Sequence, residues 1–166
     1  MEPSFSRGSP PAGMASASRE LLAAPAEVWA FLAQPNHLAD WWPGVVGVEP
    51  DRRGFAVGAR WRVARRTPRG LLNLSGARRL GRARIETLVI AELAEGRLWG
   101  WQLVCEGGGA RVAGPLAVSV GLGEAEPGRT RVTVSVASRG LGAGDRLTAR
   151  AAIDRLYSLV QTGAEL

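Results

Sequence analysis

The stretch from Leu21 to Glu49, LLAAPAEVWAFLAQPNHLADWWPGVVGVE, constrains the fold most, because its prolines fix where short elements begin and end. Pro25 suits the first turn of a helix, where its missing N–H is not needed, and Pro35 ends that helix. A second helical turn is expected to close at Trp41-Trp42-Pro43-Gly44, before a β-branched strand from Val45 to Val48. These short helices carry apolar side chains and therefore need a sheet to pack against.

Alternation of apolar and polar residues predicts that sheet. Strands are expected at residues 17–22, 59–66, 82–93, 97–105, 110–122 and 129–138. Residues 67–70 are expected to form a turn, and residues 71–81 fit either a short edge strand or a loop. One apolar and one polar face in each strand indicates an antiparallel sheet with a solvated outer side. In residues 82–93 the pattern predicts that Ile85, Thr87, Val89, Ala91 and Leu93 face inward, so that Glu86 and Glu92 face solvent.

The end of the chain predicts a long helix. Asp145 is a suitable cap, and an apolar stripe follows it, formed by Ala149, Ala152, Ile153, Leu156, Leu159 and Val160. We therefore predict an α+β helix-grip fold: a curved antiparallel sheet of about six to seven strands wrapped around a long C-terminal helix, with two short helices after strand 1. Residues 14–166 are expected to form this single domain, behind a Pro/Gly/Ser-rich, disordered lead at residues 1–13.

The segment APAEVWAFLAQPNHLADWWPGVVGVE resembles the opening of the START-related (SRPBCC) superfamily, in particular its polyketide cyclase/dehydrase-like branch. Three later segments resemble the same family in the same order: residues 57–61, 86–101 and 128–133. Together they extend the resemblance over residues 17–165. It implies the helix-grip fold and a cavity for a hydrophobic ligand, with a cyclase or dehydratase as an alternative use of the same cavity.

Tryptophan is the most conspicuous functional feature, with six residues in a chain of 166. Trp61, Trp99 and Trp101 share the apolar parity of their strands, so we expect them to line an internal cavity between the sheet and the C-terminal helix. A filled aromatic core is the alternative. The predicted ligand-binding residues are Phe31, Trp42, Trp61, Val89, Trp99, Trp101, Leu103, Val118, Val134, Leu156, Tyr157 and Val160. The ligand would be aromatic, polyketide-like, or lipid- or quinone-like.

Several kinds of chemistry are excluded or disfavoured by residue counts. One histidine, His37, and one cysteine, Cys105, cannot form a His/Cys zinc site, and the absence of lysine excludes Schiff-base catalysis. We interpret His37 as a surface helix residue and Cys105 as a small buried hydrophobe. We predict no catalytic residue, no metal, no cofactor and a cytoplasmic location. The cyclase alternative would require a titratable group with a shifted pKa inside the cavity.

A formal net charge of +6 raises a third hypothesis, a basic interaction surface. The window from Arg52 to Arg84 is rich in arginine and has no acidic residue, and the outer face is expected to carry Arg60, Arg62, Arg66, Arg82 and Arg84. Nucleic acid is a disfavoured partner, since no aromatic residue is interleaved on that face for base stacking. Peripheral contact with an anionic membrane stays open. The oligomeric state is not indicated by the sequence.

Overall fold

The computed structural model of the chain describes residues 14–66, 84–104, 117–137 and 143–163. Three α-helices lie in this part: α1 (Pro25–Leu32), α2 (Leu38–Trp41) and α3 (Ala143–Gly163), with a 3₁₀ turn at Pro35–His37 before α2. The strands are β1 (Ala15–Leu21), β2 (Val45–Pro50), β3 (Arg60–Arg65), β4 (Arg84–Ala94), β5 (Leu98–Val104), β6 (Ala117–Glu124) and β7 (Thr130–Ala137). Cys105, Pro115 and Arg82, together with the predicted lead and residues 67–81, lie outside the described residues.

The seven strands form one antiparallel sheet in the order β1-β7-β6-β5-β4-β3-β2. The long helix α3 packs on β1 and β7, and α2 packs on β2 and on α3. This arrangement confirms the predicted α+β helix-grip fold with two short helices after the first strand. Within the described ranges, no helix is both long enough and apolar enough to cross a membrane.

Particular residues fix the start of α1 and the turn that precedes β2. Pro25 occupies the first helical position, and the capping residue Ala24 has no side-chain acceptor. The Glu27 carboxylate instead reaches back and accepts a hydrogen bond from the Ala24 N–H at 3.1 Å, which is one half of a capping box. In the turn that precedes β2, Gly44 has a φ of +82°, a conformation that glycine adopts without strain.

The inner face of the sheet, towards α3, is apolar. Alternate residues of β5, β6 and β7 point inward and are buried: Trp99, Trp101, Val118, Val120, Val132, Val134 and Val136. The predicted stripe of α3 faces them, with Ala149, Ala152, Ile153 and Leu156 buried. At the edge of the sheet, the Arg19 guanidinium of β1 donates to the Asp154 carboxylate of α3 at 2.7 Å.

Strand β4 departs from the predicted parity. Leu88 is 1% exposed whereas Ile85 is 57% exposed, so the even-numbered residues face inward in the first part of the strand. The register explains this orientation, because Trp61 of β3 stands opposite Leu88. Val89 therefore lies on the outer side, and the prediction that it lines the inner face is wrong.

A register shift between Ile90 and Glu92 restores the predicted parity in the last part of β4. Beyond the shift, Leu93 stands opposite Trp99, and it packs against the core. A bulge of this kind adds a residue to one strand and so reverses the faces on either side of it. The sequence prediction treats the alternation in residues 82–93 as uninterrupted, and it therefore expects Glu86 to face solvent. Val63 stands opposite Glu86, and Glu86 therefore belongs to the inner side.

Candidate functional site

Seven aromatic rings meet on the inner face and form what we call the aromatic cluster: Trp29, Trp41, Trp42, Phe55, Trp61, Trp99 and Trp101. Neighbouring ring centroids lie 4.6 Å apart for Trp99 and Trp101 and 6.2 Å apart for Trp41 and Trp101. The cluster joins α1, α2 and the 51–59 connection to strands β3 and β5. The shared inward parity predicted for Trp61, Trp99 and Trp101 is confirmed.

The rings of the cluster pack against one another. Most pairs are edge-to-face, the arrangement that aromatic quadrupoles favour, and Trp41 and Trp61 are completely buried. The Trp61 indole N–H donates to the Gly54 carbonyl oxygen at 2.7 Å, which fixes that ring in its place. In this structure the rings therefore occupy much of the space in which the sequence predicted a hollow.

Two indole N–H groups at the centre of the cluster are unsatisfied. The Nε1 atoms of Trp41 and Trp99 are fully buried and reach no hydrogen-bond acceptor among the described residues. Their ring centroids are 6.1 Å apart. A buried donor without a partner costs about 1–3 kcal/mol, and buried tryptophans usually find an acceptor. Two such donors on neighbouring rings mark the cluster as a place suited to an acceptor oxygen.

A small cavity, which we call the α2 cavity, lies next to the cluster between α2 and strands β2–β5. Its volume is about 10 Å³, close to the lower limit for one water molecule. Its lining comprises Leu38, Trp42, Val45, Val63, Arg65, Leu88, Trp101 and Leu103. Three of the predicted ligand-binding residues, Trp42, Trp101 and Leu103, are thus brought together around one space.

One member of a largely buried ion pair, Arg65, lines this cavity. The Arg65 Nη1 atom is 3.4 Å from the Glu86 Oε2 atom, and the two side chains are only 16% and 15% exposed. Arg65 lines the α2 cavity among apolar residues. Sequence reasoning did not single out Arg65 and assigned Glu86 to solvent. Only the strand register, which places Glu86 opposite Val63, could have revealed the pair.

The remaining predicted ligand-binding residues are spread over the inner side. Val118, Val134 and Leu156 are buried in the core. Val160 is partly buried against it. Tyr157 lies under the Arg19 guanidinium, whose central carbon is 3.5 Å from the ring centroid, so its described contact is with edge strand β1.

Phe31, in α1, and His37, in the 3₁₀ turn that follows, form a pair of stacked rings. Their rings stack with centroids 4.2 Å apart, and the His37 Nδ1 atom is 2.9 Å from the Phe31 carbonyl oxygen. A structural contact therefore accounts for the histidine. The described residues contain no group of His, Cys, Asp and Glu side chains that could hold a metal ion.

The structure places the arginines of the predicted basic face on both sides of the sheet. Arg62 on the outer side pairs with Glu49 at 3.2 Å, whereas Arg84 stands opposite Arg65, on the inner side. Arg60 and Arg66 are exposed. The error at Arg84 has the same origin as the error at Val89, since both residues belong to the first part of β4.

The outer face carries a much larger groove of about 950 Å³ across β4–β7. Its floor is formed mainly by small or polar residues such as Gly100, Ser119, Gly121, Thr133 and Ser135. Ligand sites are predominantly apolar and aromatic with few polar groups. The one aromatic residue among the described residues that line the groove is Trp101, whose ring is buried in the aromatic cluster on the inner face. We therefore place the candidate site on the inner face, at the aromatic cluster and the α2 cavity.

A curved antiparallel sheet that holds a long C-terminal helix, with an aromatic interior closed by short helices, defines a helix-grip protein with an inner candidate site. The chain belongs to the family described as polyketide cyclase/dehydrase and lipid transport, whose model matches residues 14–161.

Solved structures share the fold at low identity. A protein from Arthrobacter aurescens is 20% identical with a TM-score of 0.65, covering 91% of this chain and 87% of that one. The di-domain aromatase/cyclase StfQ of the steffimycin biosynthetic pathway is 12% identical with a TM-score of 0.63, covering 90% and 45%. A START superfamily protein from Mycobacterium smegmatis is 13% identical with a TM-score of 0.55, covering 91% and 95%. A sequence search of curated proteins found no significant match.

Proposed function

We propose that this protein binds a hydrophobic aromatic small molecule on the inner face of the sheet, at the aromatic cluster and the α2 cavity. Membership of a family associated with cyclases, dehydrases and lipid transport supports a hydrophobic ligand. The observation that carries the proposal is the pair of buried indole donors on Trp41 and Trp99. A ligand oxygen between them would accept the hydrogen bonds that these groups otherwise lack.

A ring-sized ligand needs more room than the α2 cavity offers, so part of its wall must move. The sheet wall is held by the ladders between β3, β4 and β5, whose register shifts only after Ile90, beyond the residues that line the cavity. The opposite wall is a helix of four residues, α2, which follows a 3₁₀ turn and precedes the Pro43-Gly44 turn. An element with so few internal hydrogen bonds opens more readily than a sheet. We therefore propose that Leu38 and Trp42 move outward when the ligand binds.

Titration of intrinsic tryptophan fluorescence against a panel of aromatic and aliphatic compounds tests the proposal, with native mass spectrometry to establish stoichiometry. We expect saturable binding of aromatic compounds at a ratio of one. Leu103→Ala, which enlarges the cavity, is expected to tighten binding of the bulkier compounds. Leu159→Ala on α3 is the matched control, since that partly buried leucine does not line the cavity. Absence of binding across the whole panel would refute the proposal.

A cyclase-type enzyme is the second candidate, and the inward position of Glu86 favours it. This carboxylate is 15% exposed and lies 3.4 Å from the guanidinium of Arg65, which lines the cavity, so a titratable group lies one side chain away from the space that acid–base chemistry would use. An aryl triketone probe, which closes by intramolecular aldol addition and then loses water, would report such activity through its aromatic product. We expect Glu86→Gln to abolish turnover while retaining binding. No turnover by the unmodified protein would exclude this second function.

A further inference from the structure

We infer that the Arg65–Glu86 pair recognises a hydroxyl group of the ligand, separate from the acceptor oxygen proposed between Trp41 and Trp99, and that the ligand is an uncharged aromatic molecule. The inference rests on the proposed function, because it states which ligands the same site selects. It follows from the position of the pair, from the distance between its two ends and from its net charge.

The pair differs from a similar pair on the opposite side of the same strand. Arg65 and Glu86 are 16% and 15% exposed, whereas Arg62 and Glu49 are 64% and 73% exposed. An exposed pair is screened by water and has little effect on what binds nearby. A partly buried pair at an apolar cavity interacts more strongly with any polar group that enters.

The two ends of the inner pair are well placed to share a hydroxyl group. Their separation of 3.4 Å exceeds the usual length of about 2.7–2.9 Å for a charged N–H···O bond. A ligand hydroxyl can accept a hydrogen bond from the guanidinium and donate one to the carboxylate at the same time. Such a group would replace one long contact with two shorter ones.

The net charge of the pair selects against an ionised ligand. Arg65 and Glu86 together are neutral, and Arg84, which stands opposite Arg65 on the inner side, is exposed and screened by water, so a hydroxyl adds no charge to the site. A ligand carboxylate would place a second negative charge near Glu86 in a partly buried space, which is unfavourable. A ligand ammonium group would meet the Arg65 guanidinium with the same difficulty. Uncharged donor–acceptor groups are therefore favoured over both kinds of ion.

The rings beside the pair select an aromatic body for the ligand. Trp42 and Trp101 line the same cavity as Arg65, and their centroids are 5.0 Å apart at an angle of 79°. A planar ligand that displaced Trp42 outward would gain the ring contacts that Trp101 makes in the unliganded protein. Its hydroxyl would then lie at the edge of the cluster, towards Arg65.

Three probes with one ring system test the inference: naphthalene, 2-naphthol and 2-naphthoate, titrated by tryptophan fluorescence at neutral pH. We expect 2-naphthol to bind about tenfold more tightly than naphthalene, the effect of one to two net hydrogen bonds. We expect 2-naphthoate to bind more weakly than 2-naphthol. Arg65→Met and Glu86→Gln should each bring the ratio between naphthol and naphthalene close to one.

The matched controls are Arg62→Met and Glu49→Gln, which change the exposed pair and should leave that ratio unchanged. Since removal of one partner can destabilise the fold, the double variant Arg65→Met/Glu86→Met removes both charges together. Equal binding of 2-naphthol and naphthalene, or tighter binding of 2-naphthoate, would overturn the inference and leave the proposed function intact. If none of the three probes binds and the wider panel also fails, both are wrong.

Discussion

The ring of Trp42, directly after α2, meets the ring of Trp101 on β5 edge-to-face, with centroids 5.0 Å apart. This contact connects the end of the short helix α2 to the middle of the sheet. Both residues also line the α2 cavity, so the pair forms a boundary between the packed core and the candidate site. Substitutions at and around this boundary provide direct tests of the structure.

Removal of the Trp101 ring should be costly. The side chain is buried and contacts Trp41, Trp42 and Trp99, so Trp101→Ala is expected to lower the free energy of unfolding by about 3–5 kcal/mol. Urea denaturation followed by circular dichroism measures the change. The control is Trp29→Ala, at the partly buried rim of the cluster, which should cost less than half as much. Equal losses at the two positions would contradict the described packing.

The parity of β4 can be tested by two neighbouring substitutions. Leu88→Ala should cost about 2–5 kcal/mol because that side chain is buried on the inner face. Val89→Ala, on the outer side, should cost about 1 kcal/mol or less. Thermal and urea unfolding of both variants provide the comparison. A larger loss at Val89 would restore the parity that the sequence pattern first indicated.

The unsatisfied indole donors should be visible by nitrogen–proton NMR. In the free protein, the Nε1–H proton of Trp61, bonded to Gly54, is expected downfield of the corresponding protons of Trp41 and Trp99. A bound aromatic ligand with an acceptor oxygen should move the signals of Trp41 and Trp99 downfield. Trp61 serves as the internal control. A ligand that shifts only Trp61 would show that the acceptor is not located between the other two.

The start of α1 offers a stabilising change. Ala24 provides no side-chain cap, so Ala24→Ser should add an acceptor for a free N–H of the first turn and stabilise the protein by about 0.5–1 kcal/mol. Ala30→Ser, at an exposed interior position of the same helix, should be slightly destabilising and is the control. Melting temperatures of the two variants check the sign. A lower melting temperature for Ala24→Ser would show that the hydrogen bond from Glu27 already stabilises the start of this helix.

Sequence reasoning predicted the sheet faces correctly where the alternation is unambiguous. In β5 and β7 most inward residues are aromatic or β-branched and most outward residues are polar or small, so the predicted inward positions of Trp99, Trp101 and Val134 are correct. In β4 both parities carry large apolar residues, and the register shift after Ile90 has no distinct sequence mark. The pairing of β4 with its neighbouring strands decides which residues face inward, and the alternation within one strand carries no information about that pairing.

The candidate site was predicted only in part, because its polar members contradict the binary pattern. Arg65 on the inner face is a charged residue at a position where the alternation expects an apolar one. Tyr157 was expected to face the ligand, but the described contact of its ring is with Arg19. The stripe on α3 specifies which side of the helix is buried, yet it does not specify which strands the helix covers.

The position of α3 divides the interior into two halves. The long helix covers β1 and β7, whereas the short helix α2 closes the space over β2–β5. The element that packs along β1 and β7 is therefore not the element that the proposed ligand would displace. Ligand exchange and global unfolding would then proceed by separate motions, the first of α2 and the second of α3 and the sheet.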